Sequence, residues 1–310
     1  MKIRGAFTRL LRAVFAGVGM CALAAVPQAL SAADEQWRLE PDARVELGIV
    51  SAESATREEQ IVVDGDAITA RGQVGLEFGN DKTRFRIEAD RIEVFRLGEG
   101  RSDSARDRFT VQLDQELNED WDVQFRARMY DDFVTAESSD TDEVQGAIEV
   151  TYEPVREHRV RVSGTWRERE YDNGDDAETE GSGPRFDAAY RHRIGRYHYV
   201  NFDLRAESIR SDDPDRGFQR QSASISYTRP ITSDLRVRPA IEYLNTRFDG
   251  RFNEEGEQRR DQLVVPEVEL LWWPGNWRVE AEAKYVFTSS NVPARQREGY
   301  RLTLTVGYAF

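Results

Sequence analysis

The sequence is poor in cysteine, in positive charge and in long apolar runs. It has one cysteine, Cys21, in 310 residues, so an exported form of the chain cannot depend on disulfide bonds for stability. Lys and Arg number 43 against 57 for Asp and Glu, and the formal net charge of −14 has the wrong sign for a protein that holds nucleic acid along its surface. After residue 33 no apolar run is long enough to cross a membrane as a helix. We therefore expect no nucleic-acid partner and no helical membrane span beyond that point.

The N-terminal segment predicts export. Residues 1–12 contain four basic residues and no acidic one, the stretch 13–26 carries no charge, and small residues follow at Ser31, Ala32 and Ala33. This is the order of a secretory signal peptide, in which a basic region precedes an apolar region and a small-residue cleavage site. The apolar stretch is also shorter than the roughly 20 residues that a spanning helix needs. We predict a signal peptide over 1–33 and a single mature domain over 34–310.

Apolar and polar residues alternate along most of the mature chain. The last segment shows this best, because its apolar residues all fall in one phase: Tyr300, Leu302, Leu304, Val306, Tyr308 and Phe310. A period of two is typical of β-strands, and the alternating segments predict fourteen of them. The predicted strands span 43–53, 67–79, 82–96, 106–117, 121–133, 143–153, 159–171, 185–194, 197–209, 218–230, 235–248, 262–273, 277–289 and 298–310. The phase slips between Ala89 and Ile92, which indicates either a β-bulge or an error in the assigned register.

The connections between these strands alternate between six short turns and seven longer, polar loops. An even number of antiparallel strands with tight turns at one rim and longer loops at the other is typical of a barrel that spans a membrane. In hydrocarbon every backbone N–H and C=O must be paired, and a sheet achieves this only by closing on itself. We predict an all-β fold, a closed antiparallel transmembrane β-barrel of fourteen strands, with twelve to sixteen compatible with the uncertain strand boundaries.

Aromatic residues at the strand ends predict two girdles at the membrane surfaces. There the apolar ring of Tyr or Trp can contact lipid while its O–H or N–H group contacts water. On the short-turn side these residues are Trp121, Tyr152, Tyr190, Tyr227, Trp272, Trp277, Tyr308 and Phe310. On the long-loop side they are Tyr171, Phe186, Phe218, Phe248, Phe287 and Tyr300.

With its signal peptide, its alternating strands and its aromatic C-terminal residue, the chain resembles a Gram-negative outer-membrane β-barrel protein of the porin-like kind. The resemblance covers the whole mature chain but matches no motif residue by residue. It implies a location in the cell outer membrane, contact with outer-membrane lipid, and recognition of the last strand by the barrel-assembly machinery through Tyr308 and Phe310. Fourteen strands with modest loops are similar to the monomeric outer-membrane protein G type of porin, so a monomer is favoured while the oligomeric state stays open.

If the apolar phase faces lipid, the other phase lines the interior, and it is rich in charge. Its predicted basic positions are Arg126, Arg128, Arg159, Arg161, Arg167, Arg169, Arg191, Arg193, Arg205, Arg236 and Arg238. Its predicted acidic positions are Glu242, Glu267, Glu269, Glu280 and Glu282. Two interpretations remain open: a transverse field between a basic and an acidic wall that orients polar solutes, or a ladder of cross-strand ion pairs that fills and stiffens the barrel.

The sequence gives little support for an enzyme. The three histidines, His158, His192 and His198, fall at the short-turn rim without a nucleophile motif or metal-type spacing. The acidic loops lack the calcium-loop spacing and are more typical of a solvated surface. We predict no enzyme activity, no metal and no cofactor.

The predicted function is a channel for passive diffusion of small hydrophilic solutes. The alternatives are a closed, non-channel barrel that works in surface assembly or in polymer or lipoprotein export, and a secreted soluble β-protein.

Overall fold

The computed structural model describes residues 37–54, 64–98, 103–132, 141–171 and 179–310, which form antiparallel β-strands and two short 3₁₀ turns. The strands are β1 (Arg38–Glu53), β2 (Gly65–Gly79), β3 (Thr83–Leu97), β4 (Ser104–Asn118), β5 (Trp121–Asp131), β6 (Thr141–Val155), β7 (His158–Tyr171), β8 (Thr179–Gly195), β9 (His198–Ser211), β10 (Phe218–Pro230), β11 (Leu235–Phe252), β12 (Gln258–Trp272), β13 (Trp277–Ser290) and β14 (Arg297–Ala309). Among these residues, no helix has the length and apolar character needed to span a bilayer. The predicted signal peptide lies outside the described residues.

The strands close into one barrel. Each strand pairs with its neighbours in sequence, and β1 pairs with β14 from Arg44 opposite Ala309 to Glu53 opposite Tyr300. Six connections of two to four residues alternate with seven of five to eleven, which defines a turn side and a loop side of the barrel. The fourteen-strand closed antiparallel barrel predicted from the sequence is confirmed.

The two faces of each strand differ in burial and in chemistry. On β7, Trp166 is 52% exposed while its neighbour Arg167 is 1% exposed; on β9, Leu204 is 60% exposed while Ile209, in the opposite phase, is fully buried. Because a closed ring has only an inside and an outside, the buried phase must be the inner face. The outer face therefore carries many exposed aliphatic and aromatic side chains. Such a surface is favourable in contact with lipid and unfavourable in contact with water.

The turn-side aromatic girdle lies on the outer face as predicted. Trp121 stacks on Tyr152 with ring centroids 4.4 Å apart, and Trp277 meets Tyr308 edge-on at 5.2 Å. All four rings lie at the turn-side ends of their strands, where an aromatic girdle is expected.

The loop-side girdle is partly wrong. Phe186 and Phe287 are exposed on the outer face, but Tyr171, Phe218 and Phe248 point inward and are essentially buried. Each of these three is an even number of residues away from an inward arginine on the same strand. The alternation of side chains along the strand therefore decides which side a ring faces, and its aromatic character does not.

The predicted bulge near Ala89 is also wrong. β3 pairs with β2 and with β4 in unbroken register, so the apolar phase continues and Arg91 and Glu93 face outward. There Arg91 donates hydrogen bonds to Glu93 at 2.6 Å and to Asp107 of β4 at 2.8 Å. We call Arg91, Glu93 and Asp107 the outer charged triad.

The outer charged triad lies in the loop-side half of an otherwise apolar outer face. Arg91 is six residues from Phe85 and four from Phe95, two exposed outer-face aromatics on the same strand. Asp107 lies opposite Asp131, at the loop-side end of β5. Mutual pairing is what makes three charged groups tolerable among apolar neighbours.

Removing the pairing should therefore destabilise the barrel, whereas removing all the charge should not. We expect Arg91→Leu to lower the denaturant midpoint of unfolding in lipid vesicles, because two carboxylates then face lipid without a partner. The triple variant Arg91→Leu, Glu93→Val, Asp107→Val should recover or exceed the wild-type midpoint. A triple variant less stable than Arg91→Leu would contradict this account of the triad.

Candidate functional site

The candidate site is the interior of the barrel. Every basic and acidic position predicted to line it lies on the inner face, in the same strand phase as the fully buried side chains. Whether these residues line a conducting pore stays a prediction. The interior is not uniform, however, since its loop-side and turn-side halves differ in their access to water.

In the loop-side half the inner face is lined by buried residues, and each of the fourteen strands contributes at least one of them. The side chains are Val50, Ala52, Ala67, Asp90, Val94, Thr110, Tyr130, Thr141, Glu143, Gln145, Thr165, Arg167, Arg169, Tyr171, Glu207, Ile209, Phe218, Arg220, Thr246, Phe248, Asp261, Leu263, Val265, Val286 and Ser290, and β8 and β14 add Gly181, Gly183 and Gly299. We call this set the loop-side seal.

Ion pairs hold one part of the loop-side seal. The Glu207 carboxylate on β9 lies 3.0 Å from the guanidinium groups of both Arg167 on β7 and Arg220 on β10. Next to it, Arg169 donates from Nε to Glu143 of β6 at 2.6 Å. Removing one partner of such a buried pair leaves an uncompensated charge, so these contacts fix the packing of the interior more than they add to net stability.

Apolar contacts hold the rest of the seal. One cluster runs along the inner wall and comprises Val50, Ala52, Ala67, Val94, Leu263, Val265 and Val286. A second comprises Ile209, Phe218 and Phe248, and the Arg220 and Arg169 guanidinium groups lie over the Phe218 ring at 4.4 and 5.8 Å from its centroid.

These inward apolar residues were missed by sequence reasoning, which assigned apolar side chains to lipid. Strand phase would have found them. Leu263 and Val265 share the phase of Glu267 and Glu269, which the same reasoning had already placed inside.

A water-accessible cavity of about 400 Å³ lies in the middle of the barrel and extends toward the turn side as far as Arg161 of β7. Its inward-facing residues are mostly polar and come from β5 to β11: Arg126, Arg128, Glu149, Arg161, Ser163, Arg185, Asp187, Ala189, Asp203, Arg205, Ser222, Ser224 and Glu242. We call it the turn-side cavity. A space of this size admits a small polar molecule of metabolite dimensions.

The predicted acidic wall carries its own counter-ions. One carboxylate oxygen each from Glu267, Glu269 and Glu282 lies within 4.8 Å of the others, but the Lys284 ammonium contacts Glu282 at 2.9 Å and Glu267 at 3.1 Å. Arg238 of β11 pairs with Glu269. An ammonium thus occupies the position that a metal ion would need, and the wall is nearer to neutral than its sequence indicates.

Most predicted basic positions are likewise paired. Arg159 pairs with Glu153 and Arg205 with Asp187, while Arg191 donates to the amide oxygen of Asn201 at 2.9 Å. These contacts favour the ion-pair ladder over most of the interior. Five predicted basic positions have no carboxylate within ion-pair distance in the part of the chain that the structure describes: Arg126, Arg128, Arg191, Arg193 and Arg236. Of these five, Arg126 and Arg128 line the turn-side cavity.

The three histidines lie at the turn-side rim among aromatic side chains. His158 Nδ1 is 2.7 Å from the Tyr190 hydroxyl, and His198 Nε2 is 2.7 Å from the Tyr227 hydroxyl. The His192 ring lies 5.1 Å from that of His158. Such contacts are typical of rings anchored at a membrane interface.

No known protein-family model matches the chain, and no curated protein matches it in sequence. Its structure is similar to that of outer-membrane-expressed OmpT of Vibrio cholerae, with 10% identity and a TM-score of 0.54 over 88% of this chain and 98% of that one. It is also similar to the outer membrane channel DcaP of Acinetobacter baumannii, with 12% identity and a TM-score of 0.51 over 90% and 98% of the two chains. A Pseudomonas aeruginosa FadL homologue matches at 7% identity and a TM-score of 0.50 over 87% and 90%. At such identities the likeness establishes the fold: the chain has the fold of outer-membrane β-barrel proteins.

Proposed function

We propose that the protein is an outer-membrane channel for passive diffusion of small hydrophilic solutes. The turn-side cavity is the observation that carries this proposal, because a polar, water-accessible space inside a lipid-facing barrel is what a hydrophilic solute needs to enter it. A barrel with a purely structural role has no need of a charged cavity that a solute can reach.

The loop-side seal favours a second candidate, a closed barrel that serves in surface assembly or export. For a channel, the seal is where the resistance to flow lies, and permeation requires its side chains to move apart. For a closed barrel, the seal is permanent.

Single-channel recording of the refolded protein in a planar bilayer separates these two candidates. Discrete conductance steps in potassium chloride support the channel. Their absence at every voltage, from protein shown to be folded by heat-modifiable gel mobility, leaves the closed barrel.

A substitution in the seal should change the conductance. Phe218→Ala removes a ring that lies at the centre of the inner apolar contacts of β9, β10 and β11, and we expect a larger unitary conductance. A buried Phe to Ala change costs about 3–5 kcal/mol, so folding is to be verified first. The matched control is Phe202→Ala on the outer face of β9, where Phe202 is 45% exposed; an equal effect of the two substitutions would show that the seal does not limit flow.

The acidic wall should influence ion selectivity. Changing Glu267, Glu269, Glu280 and Glu282 to Gln removes the partners of Lys284 and Arg238, so the interior becomes more positive and the reversal potential in a salt gradient should shift toward anion selectivity. Glu254→Gln with Glu255→Gln, in the exposed loop between β11 and β12, is the control for loss of negative charge outside the interior. An unchanged reversal potential in the fourfold variant would contradict a role for this wall.

A further inference from the structure

Arg126 and Arg128 stand next to each other on the inner face of β5 and both line the turn-side cavity. Their cross-strand neighbours are neutral on both sides. Arg126 lies opposite Gln112 of β4 and Ala147 of β6, and Arg128 lies opposite Thr110 and Gln145. The strand register therefore places no carboxylate directly beside either guanidinium group.

Some arginines of the interior have a carboxylate directly opposite them. Arg169 lies directly opposite Glu143, and Arg185 lies directly opposite Glu207. Arg126 instead donates from Nη1 to the amide oxygen of Gln124 at 3.1 Å, and the buried Nε of Arg128 has no hydrogen-bond partner among the described residues. Two adjacent cations without a counter-ion repel each other, so the pair is stabilised by any anion that enters between them.

The rest of the cavity wall reinforces this preference. Arg185 and Arg205 both contact the carboxylate of Asp187, at 3.0 and 2.6 Å. Arg161 is 3.8 Å from Glu149, at the outer limit of an ion pair. The cavity wall thus holds five arginines and four carboxylates, and the excess positive charge is concentrated at β5.

We propose that Arg126 and Arg128 form a binding subsite for the oxyanion group of a small solute, a carboxylate or a phosphate. The proposal rests on the proposed function and names the class of solute. Two planar guanidinium groups suit bidentate hydrogen bonding to such an anion. Across the cavity Ser224, Asp203 and Glu242 lie side by side in register, where they accept hydrogen bonds from hydroxyl or ammonium groups at the other end of the solute.

The subsite is tested by equilibrium binding, which needs no conduction. Succinate and inorganic phosphate are titrated by calorimetry into the full mature chain refolded in detergent, with the uncharged succinamide as a third probe. The variants are Arg126→Gln, Arg128→Gln and the double variant. The matched control is Arg86→Gln, an inward arginine of β3 outside the cavity that pairs with Asp42 at 2.9 Å. Heat-modifiable gel mobility verifies that each variant is folded.

We expect saturable binding of one or both anions, no binding of succinamide, and an affinity about tenfold weaker for each arginine removed. Binding of succinate alone assigns the subsite to carboxylates, and binding of phosphate alone assigns it to phosphates. Two results would overturn the subsite: the absence of saturable anion binding to the wild type, or an equal loss of affinity in Arg86→Gln, which would mean that total charge alone is sensed.

The proposal of a subsite and the proposal of a channel are tested independently. Anion binding to a barrel that never conducts would refute the channel and leave the subsite standing. Conductance without anion binding would refute the subsite and leave the channel standing.

Discussion

The hydrogen bonds between β1 and β14 are the contact on which the rest of the structure depends. A bilayer offers no partner to an unpaired strand edge, so the ring must close, and closure divides every strand into a face toward lipid and a face toward the interior. As a result, Leu204 faces outward and its neighbour Arg205 faces the interior. The same division makes a charge on the outer face exceptional, which is why Arg91 is found with Glu93 and Asp107 around it.

Within the ring, one fold provides two kinds of interior. On the loop side, Arg167 and Arg220 enclose Glu207, and Phe218 packs among apolar residues, so water is excluded. On the turn side the wall is charged and a cavity is open to water. Within the cavity wall, Arg161, Arg185 and Arg205 contact carboxylates, which stiffens the wall. Arg126 and Arg128 have no such partner among the described residues, so the attraction of the cavity wall for an anion is strongest at β5.

The sequence was sufficient for the strand count and for the closed barrel, because a period of two and alternating connection lengths are local properties. It was insufficient where the outcome depends on neighbours in space. Tyr171, Phe218 and Phe248 were placed in the lipid girdle on aromatic character alone, although their phase puts them inside. The phase slip between Ala89 and Ile92 was attributed to a bulge or to an error in register; β3 has no bulge there, because Arg91 faces outward and two outward carboxylates accommodate it. The isolation of Arg126 depends on the cross-strand register, which places Gln112 and Ala147 beside it and which no single strand reveals.

The division into outer face, seal and cavity is tested most directly by cysteine accessibility, since residues 34–310 contain no cysteine. Single changes to Cys at Leu204 on the outer face, Thr246 in the seal and Ser224 in the cavity are compared by their reaction with a charged, membrane-impermeant thiol reagent in lipid vesicles. The account predicts rapid reaction at Ser224→Cys and protection at Leu204→Cys and Thr246→Cys. Rapid reaction at Leu204→Cys together with protection at Ser224→Cys would contradict it.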